Sequence, residues 1–119
     1  MKVFTLSMII YLTTSFVFAQ QASNTSGGIL RVLDKVSGAV TDLPLGVGEE
    51  GVLGLLKITL NECRLPTSNP NGDAYARVTV LYRNKIDPVF RGWLIASAPA
   101  LNAIDHPRYD VWALRCNNV

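Results

Sequence analysis

The chain holds two cysteines, Cys63 and Cys116, one near the middle and one close to the end of its 119 residues. What they do depends on where the chain goes, and its first residues speak to that. Lys2 supplies a short positive region, Val3 to Phe18 carries no charge, and Val17 and Ala19 suit the −3 and −1 positions of a cleavage site. This is the plan of a secretory signal peptide over residues 1–19, leaving Gln20 first in the mature chain. The apolar part is shorter than the roughly 20 residues of a comfortable membrane span. An uncleaved signal anchor is the alternative, and nothing downstream resembles a stop-transfer segment. No cysteine stands at the cleavage point, which argues against a bacterial lipoprotein.

In an exported chain of this size, two cysteines are most simply a disulfide. Closing a loop of about 53 residues removes unfolded-state entropy worth about 4 kcal/mol. That is a large share of what holds a small domain together. A redox-active pair is the alternative. It lacks C-x-x-C spacing, and the only charged neighbours are Arg64 and Arg115.

The formal charge of +2 falls to about +1 once Lys2 is removed. Arg31, Arg64, Arg77, Arg83, Arg91, Arg108 and Arg115 are spread along the chain and form no basic stripe, so no nucleic-acid partner is expected. No membrane span is expected after cleavage, and no cofactor or metal is implied.

Residues 20–28, QQASNTSGG, are small, polar and unpatterned, and are expected to be a flexible N-terminal segment. From Ile29 onward the chain reads as a single β-rich domain, 29–119. Ile29–Val36 places Leu30, Val32 and Val36 on one face, and Ser37-Gly38 suits a tight hairpin. Ala39–Leu45 follows, with Pro44 pointing to an edge or a strand end. After a turn over Gly46–Gly51, Val52–Leu65 is the longest strand-like run. Leu56, Ile58 and Leu60 share one side of it, and Gly54 suggests a bend. Cys63 has the opposite parity to Ile58 and Leu60. Either a bulge shifts the register before it, or the disulfide lies on the other face. Pro66–Asp73 is a loop. Ala74–Arg83 alternates most clearly, with Ala76, Val78, Val80 and Tyr82 facing one way and Tyr75, Arg77 and Thr79 the other. Val89–Ala96 and Tyr109–Cys116 complete the set. Short strands, regular turn signals and almost no helical periodicity predict an all-β fold, a small antiparallel β-sandwich or barrel-like domain.

The stretch Gly92–Trp112 holds both tryptophans and the single histidine. It reads as strand, one short helical turn capped by Ser97, a sharp corner at His106-Pro107, then strand. Trp93 and Trp112 are expected to pack together or against the same core. Ser97, His106 and Asp105 or Asp110 are residue types of a hydrolytic triad. However, no G-x-S-x-G elbow surrounds Ser97, and Asp105 is adjacent to the histidine it would have to orient. One histidine with Asp105 and Asp110 falls short of a metal-ligand set. Asn69, Asn71, Gly72 and Asp73 lack the ladder of a calcium loop and suit turn chemistry. Trp93, Tyr109 and Trp112, with Tyr75 and Tyr82, form either a stacking platform or core aromatics, and core is favoured. Asp105, His106, Arg108 and Asp110 are expected to lock the corner, the imidazole donating to a carbonyl.

LDKVSG (Leu33–Gly38), the lone Cys63 after a long strand, and GWLIASAPALNAIDHPRYDVWALRC (Gly92–Cys116) together resemble the alphaproteobacterial exported domain-of-unknown-function family 2155. The similarity spans the mature chain. Members read G-W-M-F-A-S-S-P where this chain has Leu94-Ile95 and Ala98, which weakens any catalytic role for the second serine. The resemblance places the cysteine pair at the family's positions and implies a destination in the periplasm or on the inner side of the outer membrane, without an established activity.

The expectation is therefore a periplasmic, non-enzymatic interaction module of the cell envelope, binding an envelope protein, peptide or glycan. The candidate binding or corner residues are Trp93, Ser97, Asp105, His106, Tyr109, Asp110 and Trp112. One alternative is an envelope hydrolase using Asp105, His106 and Asp110. Another is a structural subunit of an envelope assembly, joined through a sheet edge near Pro44.

Overall fold

The structure is a computed structural model that describes residues 21–117; the leader and Gln20 lie outside the described residues. Eight strands run in order: β1 (Ala22–Asn24), β2 (Gly27–Asp34), β3 (Val40–Gly46), β4 (Glu50–Leu53), β5 (Leu56–Pro66), β6 (Tyr75–Tyr82), β7 (Phe90–Ile95) and β8 (Tyr109–Cys116). All pairings are antiparallel. One sheet runs β5-β6-β7, with β1 and β4 both paired to the outer side of β5, and the other runs β3-β2-β8. The fold is thus an all-β, sandwich-like arrangement with one disulfide.

Alternation builds the core. Successive strand residues point to opposite faces, so Leu30 and Val32 of β2 meet Leu56, Ile58 and Leu60 of β5. Ala76, Val78 and Val80 of β6, Leu94 of β7, and Val111 and Ala113 of β8 complete the layer. Ile58, Leu60, Val78 and Val80 have no exposed surface. Truncating any one of the larger of these to alanine is expected to cost about 2–5 kcal/mol.

Two bulges bring the cysteines inward. Opposite β6, the register of β5 shifts between Leu60 and Glu62, so Asn61 is an extra residue and Cys63 takes the core-facing parity. Opposite β2, the register of β8 shifts between Ala113 and Arg115, which does the same for Cys116. Cys63 and Cys116 are then bonded, 5.6 Å apart at Cα. Of the two possibilities open at Cys63, the bulge is the one present. A side chain on the neighbouring Gly28 would put its Cβ 2.5 Å from the Arg115 carbonyl oxygen and 2.7 Å from Cys63 Sγ. Glycine is therefore required where the bridge crosses from one sheet to the other.

Several boundaries differ from the expectation, for local reasons. The described part of the expected flexible segment, residues 21–28, is not uniformly loose: Ala22–Asn24 pairs with Arg64–Pro66, and Gly27 and Gly28 are buried at the start of β2. Backbone hydrogen bonding supplies this order where side-chain pattern is missing. Val52–Leu65 is not one bent strand but a hairpin, β4 and β5, turning at Gly54-Leu55, where Gly54 has φ +57°. The first hairpin uses a five-residue connection, Lys35–Ala39, with Gly38 at φ +76°. Val36 therefore lies in the loop and is exposed, not on the face of Leu30 and Val32. Pro44 lies on β3, an edge strand, where its missing N–H is tolerated.

The expected helical turn after Ser97 does not form. Ala98 N–H donates to Ile95 O and Leu101 N–H to Ala98 O, giving two successive reverse turns. Pro99 suits the second position of such a turn as well as it suits a helix start. The connection must also stretch. β7 ends, and β8 begins, at opposite ends of the sandwich, so residues 96–108 have to run its length. Ile104 is buried from within that connection and anchors it.

Candidate functional site

The two ends of the sandwich use chemistry-bearing residues differently. At one end stands His106, buried against Tyr82 (ring centroids 4.4 Å apart) and Tyr109 (5.8 Å). Its Nδ1 accepts two backbone N–H bonds, from Arg108 at 3.1 Å and Tyr109 at 3.2 Å. The ring proton in this arrangement sits on Nε2. The imidazole accepts from N–H groups where donation to a carbonyl was expected. The sharp bend at His106-Pro107 points the N–H groups of the next two residues back at the ring. The His106 carbonyl accepts from Lys35 Nζ at 2.9 Å.

Asp34 joins this end. Its Oδ1 accepts from Val36 N–H at 2.9 Å, and Arg108 donates through Nε to Oδ1 (3.4 Å) and Nη2 to Oδ2 (3.2 Å). The Arg108 hydrogen bond holds the Asp34 carboxyl below the ordinary carboxylate range, and the Val36 and Ser37 N–H groups add to the effect against a partial offset from burial. The LDKVSG loop and the His106 corner are thus one latch. Tyr109 is a core residue, with its hydroxyl beside Gly54 and Leu55.

At the other end, next to the disulfide, Ser97 meets Asp73. The Ser97 hydroxyl donates to Asp73 Oδ2 at 2.6 Å, and the Ser97 and Ala74 N–H groups donate to Oδ1 at 3.0 and 2.8 Å. Burial pushes the Asp73 carboxyl up, but these three donors outweigh it and hold the carboxyl below its usual value. Ser97 therefore ties two loops together instead of capping a helix. The pair borders a groove of about 520 Å³ that Asn71, Leu114 and Cys116 also line.

A triad is not assembled. Ser97 belongs to the disulfide end, whereas His106 is buried at the other. Asp105 is exposed, and Asp110 Oδ1 accepts from the adjacent Val111 N–H at 3.1 Å. Among the described residues, no cluster of three or more histidine, cysteine or acidic side chains could hold a metal ion. No helix among them is long and apolar enough to cross a membrane.

The tryptophans part company. Leu94 and Val111 point into the core, so Trp93 and Trp112 point out of it, from different sheets. They pack neither together nor into one core, because period-two alternation overrides their apolar character. Trp112 lies across from Arg31 on the outer side of β3-β2-β8, and Arg31 grips Asp42 with Nε–Oδ1 at 2.8 Å. Trp93 lies across from Arg77 on the outer side of β5-β6-β7.

This second face gathers what the sequence scatters. In register, its rows read Arg64, Tyr75, Ile95; then Glu62, Arg77, Trp93; then Thr59, Thr79, Arg91; then Lys57, Leu81. Arg77 Nη2 donates to Glu62 Oε1 at 3.0 Å. Arg64 Nη2 lies 2.8 Å from Glu62 Oε2 as an ion pair without hydrogen-bond geometry, and its guanidinium sits over the Trp93 ring, 5.2 Å from the centroid. Arg64, Arg77 and Arg91 were absent from the residues expected to form a site. The parity signal that could have found them was visible in Arg77 and Thr79, set opposite Val78 and Val80. The Asn61 bulge, which sets the side of Arg64, was not.

The fold and this geometry define a class: a disulfide-bridged antiparallel β-sandwich with one aromatic and cationic outer face. Residues 28–116 match the family described as an uncharacterized protein conserved in bacteria, DUF2155, and the chain belongs to that family. It is also similar to Uncharacterized protein RP359 of Rickettsia prowazekii (strain Madrid E), 29% identical over 103 residues. That similarity covers 84% of this chain and 66% of the relative, so the chain spans just under two thirds of the relative's length. No solved structure matches.

Proposed function

We propose that the chain is an exported, periplasmic, non-enzymatic interaction module of the cell envelope, and that it docks its partner through the outer face of β5-β6-β7. The observation that carries this reading is the convergence of Trp93, Tyr75, Arg64, Arg77 and Arg91 on one sheet surface. Aromatic residues and arginine are the types that dominate binding energy at protein interfaces. The leader sequence and the Cys63–Cys116 bridge support an oxidising destination. The use of His106, Ser97 and Asp73 as internal fasteners supports binding over catalysis.

The test is a photocrosslinking amino acid placed at Arg91 in the native envelope, with Val40 on the opposite face as the comparison site. Both positions are exposed. Reproducible capture of one envelope component from position 91 and not from position 40 is the expected result. Equal capture from both, or none from either, overturns the docking reading.

A further inference from the structure

The charge on the docking face narrows the partner's chemistry, in an inference that rests on the docking reading above. The face carries Lys57, Arg64, Arg77 and Arg91 from β5-β6-β7, against Glu62 and, from the adjoining β4, Glu50. Both carboxylates are already engaged, Glu62 by Arg64 and Arg77, and Glu50 by Lys57 at 3.8 Å. Arg91 is exposed and makes no ion pair among the described residues. Four basic against two acidic side chains give this face a surplus of +2, whereas the chain without Lys2 has a formal charge of only about +1.

Arg64 adds a second indication. Its Nε is buried with no hydrogen-bond partner, and Glu62 Oε2 is likewise unsatisfied. A buried donor left unpaired is costly. The resting position of the Arg64 fork is therefore under-satisfied, and a carboxylate can take Nε once the side chain has turned outward from Glu62.

We propose that the occupant of this face is a carboxylate-rich segment of an envelope protein. Arg91 receives a carboxylate as a bidentate fork, Arg64 and Arg77 add the donors that Glu62 does not use, and Trp93, Tyr75 and Ile95 supply the apolar surface between them. A protein segment fits better than an anionic membrane. The Trp93 ring lies beneath the Arg64 guanidinium, and a capped ring does not enter the acyl boundary as an interfacial tryptophan does. The surplus is also too small and too compact for the stripe a nucleic-acid backbone needs.

The experiment titrates the oxidised protein with a synthetic glutamate-rich peptide, a lysine-rich peptide of equal length, and phosphatidylglycerol vesicles. Binding to the glutamate-rich peptide that weakens with added salt is expected. Arg91→Glu is expected to weaken it about tenfold, and Arg77→Glu by more, since it also releases Glu62. Arg115→Glu carries the same charge change on the other sheet and is expected to leave binding unchanged. Thermal melts of each variant report whether it folds. The assignment is overturned if the glutamate-rich peptide does not bind, if vesicles bind in preference to it, or if Arg115→Glu is as damaging as Arg91→Glu. Capture at position 91 of a partner whose crosslinked segment is not acidic sinks the carboxylate assignment and leaves the docking reading standing; absence of capture sinks the docking reading itself.

Discussion

The two ends of the sandwich solve one problem in opposite ways. Each must hold the last strand, β8, to elements far away in sequence. At the Cys116 end the link is covalent: one bond joins β8 to β5, two bulges aim the sulfurs, and Gly28 leaves the space. At the Tyr109 end the link is polar. His106 Nδ1 collects two N–H groups, its carbonyl takes Lys35, and Arg108 grips Asp34. The difference teaches that the residue with the most catalytic appearance, the single histidine, serves here as a hydrogen-bond acceptor in a packed corner. It also means the ends should fail under different conditions, the first on reduction and the second in acid.

The largest effect is expected from the staple. Cys63→Ser with Cys116→Ser should lose about 4 kcal/mol of unfolding free energy, read as a lower denaturant midpoint. If this variant matches the oxidised protein in stability, the contrast between the ends disappears. Next comes His106→Ala, which leaves one buried and one part-buried N–H group without an acceptor and a gap beside Tyr82, for a loss of about 2–4 kcal/mol. His106→Phe separates the two contributions: it keeps most of the volume, so its loss, about 1–3 kcal/mol, isolates the acceptor. Equal stability of the wild-type and His106→Phe proteins would show the polar link to be idle.

Gly28→Ala is expected to cost about 1–3 kcal/mol by overpacking. In the Cys63→Ala, Cys116→Ala background the sulfur contact is absent and the backbone contacts, to the Arg115 carbonyl and the Cα of residue 116, are what still crowd the new methyl. The penalty should shrink there, a non-additivity that a double-mutant cycle measures. An unchanged penalty would place the strain elsewhere than at the bridge.

The smallest effect is the acid response. Asp34 has a folded-state carboxyl below its unfolded value of about 3.9. Its contribution is therefore fully present above that unfolded value, and is lost as pH falls through the lower folded value. Asp34→Asn should flatten stability against pH in that acid window and leave the neutral-to-alkaline range parallel to wild type. Asp73, also depressed, behaves with the same sign, but its end keeps the covalent bond. As pH falls below that unfolded carboxylate value, hydrogen exchange should therefore rise first at the amides of Arg108 and Tyr109, and later at Ser97. The reverse order would contradict the assignment of the weaker end.

The legible features were those governed by strand alternation. The pattern in Tyr75–Tyr82 placed Val78 and Val80 inside and Arg77 and Thr79 outside, and the structure agrees. Pro44 pointed to an edge, and β3 is one. Most departures share one cause, hydrogen-bond partners distant in sequence. β1 exists because Arg64–Pro66 offers it a ladder, although its own side chains carry no pattern. Ser97 abandons a helix cap because Asp73 is within reach across the loops. Trp93 and Trp112 leave the core because parity sends them outward on separate sheets. The cationic outer face was illegible for a related reason: Arg64, Arg77 and Arg91 come from three different strands, and only pairing register sets them side by side.

By itself, then, the sequence determined the β character of the chain, the inner and outer sides of its clearest strands, and the joining of its two cysteines. These follow from side-chain periodicity and from thiol chemistry, both of which are local or unique. Only the tertiary structure decided the bulges that turn Cys63 and Cys116 inward, the role of His106, and the gathering of scattered arginines onto one surface. Each of these depends on which residue stands opposite which, and a one-residue slip in register reverses the face of every side chain beyond it.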